Sequence, residues 1–114
     1  MSKVVAVDFD GVIVEDRYPE IGEENTEIVA FLNELRSENV KLILWTCRTG
    51  EELNEAVRYC RARGIEFDAV NENLHERIAQ RGSDCRKVIA DYYIDSRNIL
   101  LPGIYSPEQI LKEE

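Results

Sequence analysis

Four short apolar runs, separated by segments of helical period, constrain this chain more than any other feature. Lys-Val-Val-Ala-Val at positions 3 to 7 is β-branched, apolar and ended by a glycine turn, the pattern of a buried strand. Leu42-Ile43-Leu44-Trp45 forms a second run, Glu66 to Val70 a weaker third, and Val88 to Ile94 a fourth. Between them Ile28, Phe31, Leu32 and Leu35 recur at i, i+3, i+4 and i+7, and Leu53, Ala56, Val57 and Cys60 repeat that spacing. Thr49-Gly50-Glu51-Glu52 reads as a capping box for the second helix, with Thr49 accepting from the backbone, and Gly64 as its left-handed stop. A third helix, from about Glu72 to Arg81, has only Leu74, Ile78 and Ala79 for an apolar face. Strands alternating with helices predict an α/β fold, a mostly parallel sheet of about four core strands joined by right-handed crossovers. In 114 residues this is one domain, 1–114. The stretch from Val12 to Gly22, holding Pro19 and alternating apolar with charged residues, predicts a small hairpin or flap before the first helix. Near the end, Tyr105 to Leu111 predicts a short helix with Pro107 in its first turn.

Composition excludes several classes of function. The balance of apolar (44%) and charged (32%) residues is that of a globular domain rather than a disordered one. A net charge of −9 repels phosphate backbones, which argues against a nucleic-acid coat role. No apolar run approaches membrane-spanning length, and one Lys followed at once by a strand is no signal-peptide pattern. Cys47, Cys60 and Cys85 are odd in number and form no Cys-x-x-Cys, and His75 is the only histidine. A disulfide framework and a zinc site are both disfavoured, and a reducing cytoplasm is the expected location. Cys60 lies on an apolar helical stripe and reads as core. His75, among Glu72, Asn73, Glu76 and Arg77, reads as part of a solvated helix face.

In an open parallel sheet, function gathers at the carboxyl ends of the strands. There the first strand offers Asp8-Phe9-Asp10-Gly11, the second Thr46-Cys47-Arg48-Thr49 and the fourth Asp95-Ser96-Arg97-Asn98, with Lys87 just before that strand begins. Two carboxylates this close raise each other's pKa unless a cation lies between them. Mg²⁺, which prefers hard oxygen ligands, would resolve the repulsion, with Asp95 as a third acid. A carboxylate beside such an ion can attack phosphorus, and the second Asp can protonate the leaving oxygen and then activate water. Thr46 and Lys87 can meet the charge building on the phosphoryl oxygens. Gly11 permits a backbone turn that a side chain would hinder, and it counts with Arg48 and Arg97 as a candidate substrate-binding residue. Arg48 and Arg97 can reach a substrate phosphate or pair with one of the many acids. Arg17 and Tyr18 in the flap are further candidates for substrate contact. Asp91 is either an outward-facing acid or a supporting partner of Lys87.

Asp-x-Asp alone is a weak signal, but four such residues in this order, each at a predicted strand edge, are harder to obtain by accident. Val-Val-Ala-Val-Asp8-Phe9-Asp10-Gly11-Val12 resembles the first motif of the haloacid dehalogenase superfamily. Leu-Ile-Leu-Trp-Thr46 is similar to the second motif, Lys87 to the third, and Asp91-Tyr-Tyr-Ile-Asp95 to the acidic fourth. The likeness runs from residue 4 to about 98 and is nearest to a small capless subgroup of hydrolase-like proteins. It implies a three-layer Rossmann-like fold with a flap and no cap domain, because no inserted domain fits between Asp10 and Thr46 or between Thr46 and Lys87. It also implies roles: Asp8 as nucleophile and metal ligand, Asp10 as acid/base with its carbonyl on the metal, Thr46 and Lys87 on the phosphoryl group, and Asp95 in the Mg²⁺ site. Ser96 departs from the acidic pair that many relatives carry. Either Asp95 binds the ion directly, or it acts through water while Ser96 supplies a weaker oxygen. Ser96→Asp is then expected to tighten Mg²⁺ binding, and a titration showing no change counts against this.

The leading expectation is a Mg²⁺-dependent phosphatase for a phosphomonoester of unspecified identity. A non-catalytic phosphate- or metal-binding module is the alternative, with Ser96 as a sign of lost chemistry. A receiver-type phospho-acceptor domain also uses an acidic Mg²⁺ pocket, but its phosphorylated Asp ends the middle strand, and the strand before Thr46 offers none. A site without a cap suits a large substrate or cover from a neighbouring subunit. A homo-oligomer is therefore expected, and light scattering showing only monomer at high concentration would remove that expectation.

Overall fold

The computed structural model describes residues 2–98. The helix expected from Tyr105 to Leu111 lies outside them. Strands β1 (Val4–Val7), β4 (Lys41–Leu44), β5 (Ala69–Val70) and β6 (Tyr92–Ile94) form one sheet in the order β5-β4-β1-β6, with every pairing parallel. Strands β2 (Val14–Arg17) and β3 (Glu20–Glu24) pair antiparallel as the expected flap. The helices are α1 (Thr26–Ser37), α2 (Gly50–Arg61) and α3 (His75–Arg81). Among the described residues, only the flap and α1 separate β1 from β4. No helix among them is long and apolar enough to cross a membrane.

Register explains why β1 and the body of β4 are apolar throughout. Val5 stands opposite Leu42 and Tyr92, and Val7 opposite Leu44 and Ile94. Val5, Val7, Leu42 and Leu44 join Val29, Leu32 and Leu35 of α1 and Ala56 and Cys60 of α2 in one buried cluster. The alternate residues Val4, Ala6 and Ile43 join Leu74 and Val88 in a second. Successive side chains of a strand point to opposite faces, so a strand covered on both sides must be apolar at every position. Each fully buried Leu of α1 contributes roughly 1.5–3 kcal/mol over its exposed state.

The helix ends follow sequence in part. Asn25 caps α1, its Oδ1 accepting from the Ile28 amide at 3.4 Å. Gly64 takes a φ of +83° beyond the end of α2, and the amides of Gly64 and Ile65 bond back to Arg61 and Cys60, as expected of a left-handed stop. The capping box at Thr49 does not form, because Thr49 makes no side-chain cap bond. Gly50 enters the helix at a φ of +57°, which takes the first turn out of the geometry a capping box requires.

Strands β5 and β6 are shorter than their sequence patterns, for one shared reason. The Asp68 amide donates to the Leu42 carbonyl, while its Oδ2 accepts from the Leu42 amide, each at 2.8 Å. Asp91 treats Val4 the same way, both bonds measuring 2.7 Å. A carboxylate thus replaces the first backbone rung on each side of the β4–β1 pair. Asp91 also pairs with Arg77 at 3.0 Å, so it is a structural acid and not a partner of Lys87. Asn73, expected on a solvated face, is buried. Its amide donates to Asp84 and to the Cys85 carbonyl, and its Oδ1 accepts from Ile89, fastening the loop after α3. α3 therefore starts only at His75, which is exposed as expected.

Candidate functional site

After α3 the chain crosses from the β4–β5 side of β1 to the β6 side. The carboxyl ends of β1 and β6 thus flank the point where strand order reverses, the usual place for a crevice in an open α/β sheet. A cavity of about 400 Å³ opens there, lined by Asp8 and Asp10 after β1, Thr46, Cys47 and Arg48 after β4, Asp95 and Arg97 after β6, and Asp16 and Tyr18 of the flap.

The turn after β1 is held by its own backbone. The amides of Val12, Ile13 and Val14 converge on the Phe9 carbonyl, and Gly11 donates to the Val14 carbonyl at 2.8 Å. Gly11 adopts a φ of +86°, and a methyl group added there would come within 2.7 Å of Ser96 Oγ. Two expectations are corrected here. The Gly11 amide is already used within the turn, so Gly11 shapes the site and offers no donor to a substrate. Ser96 packs on the Gly11 turn, its Oγ beside Gly11, and is not among the residues lining the cavity.

Asp8 takes one charge-assisted bond, from the Phe9 amide to its Oδ1 at 2.7 Å. Its carboxyl is nevertheless raised above the ordinary range. Burial is the largest cause, the Phe9 amide opposes it, and repulsion from Asp95, Asp10 and Asp16 adds to it. Thr46 is anchored at its backbone by Asn71, whose side-chain oxygen accepts from the Thr46 amide at 2.8 Å. The Thr46 hydroxyl oxygen accepts from the Arg48 amide at 3.1 Å, so it stabilises its own loop while keeping a hydrogen to donate.

Arg48 is corrected most sharply. It is only 1% exposed and lies in a buried ion pair with Asp10. Nε and Nη2 each reach one oxygen of Asp10 at 2.8 Å, Nη1 donates to the carbonyls of Pro19 and Glu52, and Nη2 donates also to Glu20. A guanidinium has five N–H groups, and all five are engaged, leaving none for a substrate phosphate. The pairing with Asp10 raises the Arg48 pKa further. Arg97 is the cation that faces the cavity with donors to offer: 85% of its side chain is exposed, and its loose pair with Asp16 spans 3.7 Å.

Lys87 does not line the cavity. It is exposed, with Nζ 5.0 Å from the centre of the Tyr93 ring. The reason is the late start of β6: Asp91 is level with Val4, so the segment carrying Lys87 enters at the amino edge of the sheet, opposite the acids. Arg17 also turns away and pairs with Glu15 in solvent. Asp16 and Cys47 line the cavity without having been singled out. Asp16 was legible in principle, since strand alternation puts it on the face of Tyr18 and opposite to Glu15 and Arg17.

The cavity therefore joins Asp8, Asp10, Asp16 and Asp95, all hard oxygen donors, with one buried and one exposed arginine. Among the described residues no three His, Cys, Asp or Glu side chains stand close enough together to hold a metal ion. The four carboxylates are oxygen donors of the kind a hard divalent cation prefers, and burial and three neighbouring acids act on Asp8 while the arginine fork meets Asp10 alone.

No protein-family model matches the chain, and no curated protein matches it. A solved structure is similar to it, that of the conserved protein coded by a locus from Bacteroides thetaiotaomicron. The two are 46% identical, with a TM-score of 0.79, over 98% of this chain and 88% of the other. At that identity and coverage, the chain belongs to the same family as this conserved Bacteroides thetaiotaomicron protein.

Proposed function

We propose that the protein is a Mg²⁺-dependent phosphomonoester hydrolase of the haloacid dehalogenase type, working through an aspartyl-phosphate on Asp8. The observation that carries this reading is the joining of Asp8 and Asp10, one residue apart at the end of the central strand, with Asp95, Thr46 and Arg97 around one cavity. Asp8, Asp95 and the Asp10 backbone are the groups to hold the ion, which would supply charge neutralisation between carboxylates and phosphate.

An Asp8 oxygen attacks phosphorus, the ester P–O bond breaks, and the leaving oxygen takes its proton from Asp10. Water then attacks the aspartyl-phosphate and gives a proton to Asp10. The bond from phosphorus to Asp8 breaks, inorganic phosphate departs and both acids return to their starting forms. Asp10 first takes up the proton it gives, from solvent or from the phosphate monoanion, on a lone pair that Arg48 leaves free, since each carboxylate oxygen has two. Thr46 donates its hydroxyl hydrogen to a phosphoryl oxygen. Arg97 takes the part that the resemblance would give to Lys87, since it is the exposed cation at the cavity. A non-catalytic binding module is the second reading, favoured by Lys87 standing off the cavity and Ser96 packing on Gly11.

The test is hydrolysis of an aryl phosphate with and without Mg²⁺, comparing wild type with Asp8→Asn. Activity that needs both the metal and Asp8 supports the phosphatase. Equal inactivity of the two proteins while Mg²⁺ still binds favours the module.

A further inference from the structure

Arg48 ties together parts of the chain that lie far apart in sequence. Its planar head grips both oxygens of Asp10 on one side, the carbonyls of Pro19 and Glu20 in the flap on another, and Glu52 of α2 on a third. The rings of Phe9 and Tyr18 flank the guanidinium, 5.0 and 5.2 Å from its central carbon. The guanidinium is planar, so a shift of the flap that keeps its carbonyl bonds rotates the group, and a rotation that keeps the bonds to Asp10 re-aims that carboxylate. Asp16 and Tyr18, the flap residues lining the cavity, move with that unit.

We infer that Arg48 is a positioning residue that couples the flap to Asp10, so that contact between a substrate's leaving group and the flap is transmitted to the proton donor. The catalytic half of this inference rests on the proposed phosphatase, whereas the coupling itself does not. Lysine cannot replace the fork, because one ammonium cannot grip two carboxylate oxygens and the flap carbonyls together.

Two measurements separate these parts. The first is amide hydrogen exchange across the flap, residues 14–24, in wild type, Asp10→Asn, Arg48→Lys and Tyr18→Ala. Coupling predicts exchange at least about tenfold faster in the flap for both Asp10→Asn and Arg48→Lys by local opening, under conditions where β1 and β4 exchange only through global unfolding, since a charge-assisted bond exceeds the 1.4 kcal/mol that equals tenfold. Tyr18→Ala removes a half-exposed ring and leaves the core intact, and it should shift the flap the same way. Flap exchange that responds to Arg48→Lys but not to Asp10→Asn would overturn the coupling.

The second is steady-state hydrolysis of a nitrophenyl phosphate and an alkyl phosphate. A nitrophenolate leaves with little need of a proton, and an alkoxide does not. If Arg48 acts through Asp10, Arg48→Lys should lower kcat at least about tenfold more for the alkyl ester, with KM little changed. Equal losses on both esters would overturn the positioning role. A wild type that hydrolyses neither ester would overturn the phosphatase reading and the catalytic half with it, and the exchange result then decides the coupling on its own.

Discussion

Arg48→Met keeps most of the side-chain volume and removes every donor. The guanidinium is 1% exposed and its partner Asp10 only 15%, so the pair sits largely outside solvent screening. Removing one member of a buried pair costs about 3–5 kcal/mol, because the survivor is left charged and unpaired. Asp10 keeps an opening onto the cavity and can take up water, which puts the loss near the lower end, about 3 kcal/mol. At about 4–8 °C per kcal/mol for a domain of this size, the midpoint falls by roughly 12–24 °C. Asp10→Asn should lose less, since the amide oxygen still accepts one arginine bond. The double variant should lose less than the sum of the two, the mark of a direct contact. Urea unfolding with an unchanged slope is the assay. The internal control is Arg58→Ala, which breaks a solvent-exposed, screened pair with Glu51 and should leave the midpoint nearly unmoved. A loss for Arg48→Met as small as that of the control, or strict additivity in the double variant, would refute the reasoning.

Asp8→Asn should be more stable than wild type at neutral pH. The folded carboxyl titrates above its ordinary 3.8, so its contribution is fully present below that value and is lost as pH rises through the folded pKa. The gap in melting temperature should therefore close as pH falls toward 3.8, and equal melting at pH 7 would contradict it. Alkylation at pH 8 should modify exposed Cys47 and spare Cys60, whose thiol burial pushes up to about 12; peptide mapping that finds Cys60 labelled in the native protein would count against this. Gly11→Ala should cost about 1–2 kcal/mol from its φ of +86° alone, beyond the displacement of Ser96. Ser96→Gly in the same chain should restore only the steric part, as read by urea midpoints.

Much of the architecture is legible along the chain, because strands buried on both faces need continuous apolar runs and helices need a 3.6-residue stripe. The gathering of Asp8, Asp10, Thr46, Asp95 and Arg97 is legible for a related reason: parallel strands all end at the same edge. Lys87 misled because its distance from the cavity depends on where β6 starts pairing. That start is set by a carboxylate, Asp91, taking the place of a backbone rung. The lengths of β5 and β6 were hidden in the same way, and the burial of Asn73 depends on a loop ten or more residues further along.

The sequence by itself determined the strand and helix order, the left-handed turns at Gly11 and Gly64 and the row of acids at one edge, since these follow from short-range periodicity and backbone sterics. Only the tertiary structure decided which charge meets which. Two arginines after strand ends are interchangeable on paper, and Arg48 became a buried clamp while Arg97 stayed in solvent because the flap and α2 close over one and not the other. Long-range placement sets the local dielectric and the available partners, and those two quantities give a charged side chain its role.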